Sequence, residues 1–189
     1  MRRDILIDSP ARYGLVSRML HWGMAALFAW QFAGMAIKLA LGRHPLSSFF
    51  VGTHASLGTL LLLLVLLRGG WGLLNARRRP PHGAGWLGRA AQLGHLTIYG
   101  LMLAVPLLGL LRQYGSGQAF APFGIPLWSA TGKTDPTLVG AGDAAHGELG
   151  WVLLAIVAGH VAMVAFHGLV LRHPVLPRMA GALQDARLR

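Results

Sequence analysis

At 189 residues the chain has the length of one ordinary domain, but 54% hydrophobic against 12% charged residues excludes a water-facing globular surface. The formal net charge of +11 raises nucleic acid as a partner, yet no recognisable reading module accompanies the basic residues, and none is expected to bind it. The sequence has no cysteine, which excludes disulfides and iron–sulfur clusters.

The apolar residues fall in four runs, about 16–41, 51–74, 91–111 and 147–171, each near the roughly 20 residues a helix needs to cross a bilayer. Lipid offers backbone amides no partner, so each run must be helical. The first follows a basic N-terminus but lacks a convincing cleavage site and carries His21, Trp22 and Gln31, so it is read as an uncleaved span. The second carries His54, and the third His95 and Tyr99. The connection from Arg112 to Ala145 mixes Phe120, Phe123, Pro126 and Trp128 with Gly and Asp. It is more apolar than a solvated loop requires and is expected to fold back as a lid. His146 stands at the edge of the fourth run, which holds His160 and His167. With no long repeat or low-complexity tract, residues 1–189 read as one all-α integral membrane domain, a four-helix bundle.

The basic residues sort by membrane side. Arg2, Arg3, Arg12 and Arg18 precede or open the first span; Arg68, Arg77, Arg78, Arg79 and Arg89 surround the second connection; Arg172, Arg178, Arg187 and Arg189 lie in the tail. The other side has Lys38, Arg43, Arg112 and Lys133. Thirteen against four of the 17 Lys and Arg residues is a positive-inside bias that places both termini in the cytoplasm. Trp22, Trp71 and Trp86 near one boundary, and Trp128 and Trp151 near the other, read as aromatic belts.

Ionisable groups inside a membrane are costly, so the histidines are the candidate functional residues, against the alternative of isolated interhelical contacts. The 14 residues from His146 to His160 correspond to a rise of about 21 Å and a rotation about 40° short of whole turns, which puts both on one helix face at two depths. With alternate spans reversing direction, His54 falls at the depth of His146 and His21 at the depth of His160. Four ligands separated into two depths suit two macrocycles better than one zinc or copper ion. The expected cofactors are therefore two haems, one between His54 and His146, the other between His21 and His160, with no cysteine for covalent attachment. Two imidazoles per iron suit electron transfer over oxygen activation. Gly58, Gly147, Gly150 and Gly159 leave room for either a porphyrin or close helix packing.

His95 and His167 are surplus to ligation. They are candidates to hydrogen-bond and protonate a quinone, with Tyr99 one turn beyond His95; interhelical hydrogen bonding is the alternative. His44, His82 and His173 read as ordinary solvated residues.

The order and spacing of Tyr13, Ser17-Arg18-Met19-Leu20-His21-Trp22, His54, Leu93-Gly94-His95 with Tyr99 and Pro106, the His146–His160 pair, His167 and Val175-Leu176-Pro177-Arg178-Met179 resemble the bacterial cytochrome b561 family over nearly the whole chain. The resemblance implies two haem b groups on His21 with His160 and on His54 with His146, a quinone site near His167, and a multi-pass protein of the bacterial inner membrane. Gly168 departs from the second histidine that members often carry after His167. For the closest-looking branch the implied activity is oxidation of superoxide to dioxygen at the outer face, with ubiquinone as electron acceptor. Lys38, Arg43, Arg112 and Lys133 would then steer the anion. The alternative is a non-catalytic cytochrome b subunit that relays electrons between a hydrogenase or dehydrogenase partner and quinone.

Overall fold

The computed structural model describes residues 3–81, 83 and 85–181. Arg2, His82, Arg187 and Arg189 lie outside the described residues. Four long helices dominate: α1 (Leu15–Leu41), α2 (Pro45–Leu74), α3 (Gly85–Gly115) and α4 (Pro136–Leu169). All four are long and apolar enough to cross a membrane. Large apolar side chains such as Leu63, Leu66, Leu67, Leu107 and Val161 stand exposed along them. That is costly in water and ordinary in lipid.

Three helices begin well before the apolar runs, because polar caps rather than hydropathy set a helix terminus. At the head of α2, the His44 ring Nδ1 accepts the Leu46 N–H at 3.2 Å. The Ser47 hydroxyl accepts the His44 N–H at 3.1 Å, closing a reciprocal capping box in front of Pro45. His44 is thus a cap rather than an idle solvated residue. At the head of α4, the Asp135 carboxylate accepts the N–H groups of Thr137 (2.9 Å) and Leu138 (3.2 Å), with Pro136 at the first helical position. α4 therefore starts eleven residues before the expected 147, and it ends at Leu169 rather than 171. α3 starts at Gly85 rather than 91 and continues past 111 to Gly115. The expected 112–145 connection narrows to residues 116–135.

The chain sorts into two compact units. One comprises Met24–Val65 and Tyr99–Leu154; the other comprises Met1–Gly23, Leu66–Ile98 and Ala155–Arg189. Each long helix contributes a segment to both.

In the first unit, α1 meets α2 through the Trp30 indole N–H on the Thr53 hydroxyl (3.1 Å) and the Trp30 ring tilted on Phe50 at 4.6 Å. α3 meets α4 closely at Gly142, where a Cβ would collide with that of Arg112. Arg112 pairs with Asp143 across the same contact. The 116–135 connection is pinched into a hairpin by the Phe120–Trp128 bridge, with the two rings 4.9 Å apart. At its tip Phe123 holds a left-handed φ of 54°, uncommon for a bulky residue, and its N–H reaches the Ser56 hydroxyl of α2 at 3.4 Å. The hairpin folds back onto α2, as the sequence leads one to expect.

In the second unit, the fully buried Asp8 carboxylate accepts the Gly14 N–H (2.8 Å) and Arg79 Nε (3.1 Å). The Arg79 guanidinium lies 5.8 Å over the Tyr13 ring. The Trp71 indole donates to the buried Ser17 hydroxyl at 3.1 Å, tying α2 to α1. The tail is held by backbone carbonyls: Tyr13 N–H donates to Arg178 (3.0 Å) and the Trp22 indole to Met179 (3.3 Å).

Candidate haem sites

The first unit brings His54 of α2 and His146 of α4 together. Their ring centroids are 5.8 Å apart and the ring planes meet at 85°. Two imidazoles bound in line to one metal atom at about 2 Å each hold their nitrogens about 4 Å apart, with the ring centroids somewhat farther. The observed centroid separation is near, and slightly under, what such a pair requires.

His146 is oriented from α3. Its Nδ1 lies 2.8 Å from the Val105 carbonyl oxygen. A carbonyl only accepts, so Nδ1 carries the proton and Nε2 keeps its lone pair for a metal. The approach is possible because residue 109, one turn beyond Val105, is glycine: a Cβ there would stand 2.9 Å from the imidazole Cε1. His54 is placed by different means. The Gln31 side chain of α1, only 8% exposed, donates its amide to the His54 backbone carbonyl at 2.9 Å. Gly58, one turn along α2, faces that amide across 3.6 Å, so its small size serves Gln31. Lys38 lies within electrostatic range of His54.

The second unit gathers three histidines. The ring centroids of His95 and His160 lie 5.2 Å apart, edge-on at 71°. His21 is within electrostatic range of His160, His95 and Arg68, and its ring packs edge-on to Trp22 at 5.3 Å. His95, set aside in the sequence as surplus to ligation, thus stands beside a predicted ligand. Tyr99 follows it on α3 but falls in the other unit. His167 is half-buried near the end of α4, where its carbonyl accepts the His173 N–H at 2.9 Å.

Among the described residues no group of three or more His, Cys, Asp or Glu side chains is arranged to hold a metal ion. Paired imidazoles would fit a haem iron, which needs only two protein ligands. The Val105 carbonyl, by holding the Nδ1 proton of His146, would leave Nε2 to bind such an iron. Of the four basic residues named as steering candidates, Arg112 is engaged with Asp143; Lys133 lies in the hairpin connection, Lys38 near the end of α1 and Arg43 just beyond it.

Gln31, Val105 and Gly109 are the positioning groups that the sequence does not assign. Gln31 carries a signal, a buried amide in an apolar helix. Gly109 has only the weak one of standing three residues after Pro106.

Residues 12–182 match the family model of prokaryotic cytochrome b561. The chain is 28% identical over 185 residues to the Escherichia coli (strain K12) protein named cytochrome b561 homolog 2, covering 92% of this chain and 94% of that relative. The chain belongs to the prokaryotic cytochrome b561 family, and is therefore a multi-pass bacterial membrane protein of electron transfer that carries haem b.

Proposed function

We propose that the protein carries two haem b groups and oxidises superoxide to dioxygen on one side of the bacterial inner membrane while reducing ubiquinone. The observation that carries the two-haem reading is the His54–His146 pair with its Nδ1 locked to Val105, alongside a second histidine group built on the same helix α4. In this reading His54 and His146 hold one haem, and His21 and His160 the other. Both termini face the cytoplasm, as the positive-inside distribution of Arg and Lys favours.

The haems supply one-electron carriers; the chain's residues do the rest. Two superoxide anions give up one electron each, and one quinone takes both together with two protons, yielding two dioxygen molecules and one quinol. Lys38, within electrostatic range of His54, would raise the local concentration of a small anion. His167, half-buried near an end of α4, is the candidate donor to the quinone oxygen, with His95 and Tyr99 as further candidates.

The test is turnover by the purified haem-loaded chain alone. Superoxide generated in the presence of ubiquinone is expected to yield quinol and dioxygen at one quinol per two superoxide anions. Lys38→Gln should slow the reaction and weaken its salt dependence. Unchanged superoxide lifetime with both haems bound overturns the catalytic reading; copurification of a large hydrogenase or dehydrogenase would favour a relay subunit.

A further inference from the structure

The two imidazoles of the His54–His146 pair are not equivalent. His146 donates Nδ1–H to the Val105 carbonyl at 2.8 Å. The buried Nδ1 of His54 has no hydrogen-bond partner among the described residues. The first contact depends on one missing methyl group, since a Cβ on residue 109 would stand 2.9 Å from Cε1 and 3.0 Å from Nδ1 of His146. By contrast, a Cβ at Gly100, on the same helix and in the same unit, would meet nothing within 4 Å.

We propose that Gly109 and the Val105 carbonyl form a tuning device that makes His146 the more strongly donating of the two ligands and holds down the reduction potential of this one haem. The inference rests on the haem reading above. A hydrogen bond from the far nitrogen of a ligating imidazole fixes its orientation and raises its basicity. A more basic ligand stabilises ferric iron more than ferrous iron, because the ferric ion carries the larger charge. Gly109 and Val105 act through His146 and are positioning residues, not ligands. An alanine at 109 pushes the imidazole away from the carbonyl and weakens the preference for ferric iron. A tenfold weakening corresponds to a rise of about 59 mV for a one-electron couple.

The experiment is an optical redox titration of the purified haem-loaded protein, as wild type, Gly109→Ala and Gly100→Ala. In Gly109→Ala one of the two transitions should move upward by about 59 mV or more while the other stays. Both should stay in Gly100→Ala, which makes the same gain in helix propensity. Two unmoved transitions in Gly109→Ala, or an equal shift in Gly100→Ala, would overturn the proposal.

A second measurement needs no substitution at 109 and covers a variant that fails to fold. Reduced low-spin haem is diamagnetic, so solid-state NMR of wild-type protein labelled with 15N in histidine rings and 13C in valine carbonyls should show ring-to-carbonyl transfer. The transfer should vanish in Val105→Leu, which keeps the carbonyl but not the label. Its absence in the wild type sinks the tuning device even when haem is bound, whereas wild-type protein without haem sinks the underlying reading instead.

Discussion

The two histidine groups are built by different means. His54 and His146 each take their position from a backbone carbonyl: His146 reaches one on α3 through the gap at Gly109, and His54 offers its own to Gln31. His21, His95 and His160 gather with Arg68, a cationic neighbour, beside a network of charged side chains anchored on Asp8. The first group depends on hydrogen bonds made through a close fit, whereas the second lies among charged neighbours. Substitutions that change shape should therefore tell most in the first, and those that change charge in the second.

The largest expected effect comes from removing a proposed ligand. His146→Ala should halve the haem bound per chain, measured as the pyridine haemochromogen, while the spectrum of the remaining haem persists. Full haem content would remove the basis for treating the two groups as separate sites.

Next is the identity of the ligand opposite His160. His21→Ala should lose one haem, and His95→Ala should keep both, with a perturbed potential because its ring is 5.2 Å from that of His160. The reverse pattern would assign His95 as the ligand and return His21 to a packing role beside Trp22.

The ion pairs of the two units sharpen the comparison at smaller scale. Asp8 is fully buried against a three-quarters-buried Arg79, so Asp8→Ala strands a cation and should cost about 3 kcal/mol. Arg112 and Asp143 are each about half exposed, and Arg112→Ala should cost under about 1 kcal/mol. Thermal unfolding in detergent compares them directly; equal losses would show that burial does not separate the two pairs.

The smallest effect is one of pH. Burial raises the Tyr13 phenol above its ordinary value of 10.0, against the opposing pull of Arg79. The folded state therefore keeps this proton to higher pH than the unfolded chain. The corresponding stability is complete below pH 10 and is lost as pH rises through the raised folded value. Tyr13→Phe should flatten that alkaline decline, read as unfolding midpoints in a pH series; an unchanged slope would show that other groups cause it.

Much of this architecture was legible in the residues themselves. Apolar runs of membrane length dictate helices because lipid leaves the backbone no other partner, and that physics needs no knowledge of neighbours. Helical rise and alternating direction lead one to expect His54 and His146 at one depth, and the fold places their ring centroids 5.8 Å apart, edge-on at 85°. Helix ends are less legible from hydropathy, and their signals lie in Asp135-Pro136 and His44-Pro45-Leu46-Ser47. Hydropathy marks where lipid begins, whereas caps mark where hydrogen bonding begins.

Tertiary structure alone decided which groups surround the candidate ligands. That Gly109 stands under His146, that Gln31 finds the His54 carbonyl, and that His95 stands beside His160 are facts of contact between helices distant in sequence. Periodicity fixes a residue's place along its own helix, but how helices are rotated against one another follows from packing. The sequence by itself thus determined four helices and the histidines available to hold haem. Only the fold decided which ring has its proton held by a carbonyl, and therefore which nitrogen is left for the metal.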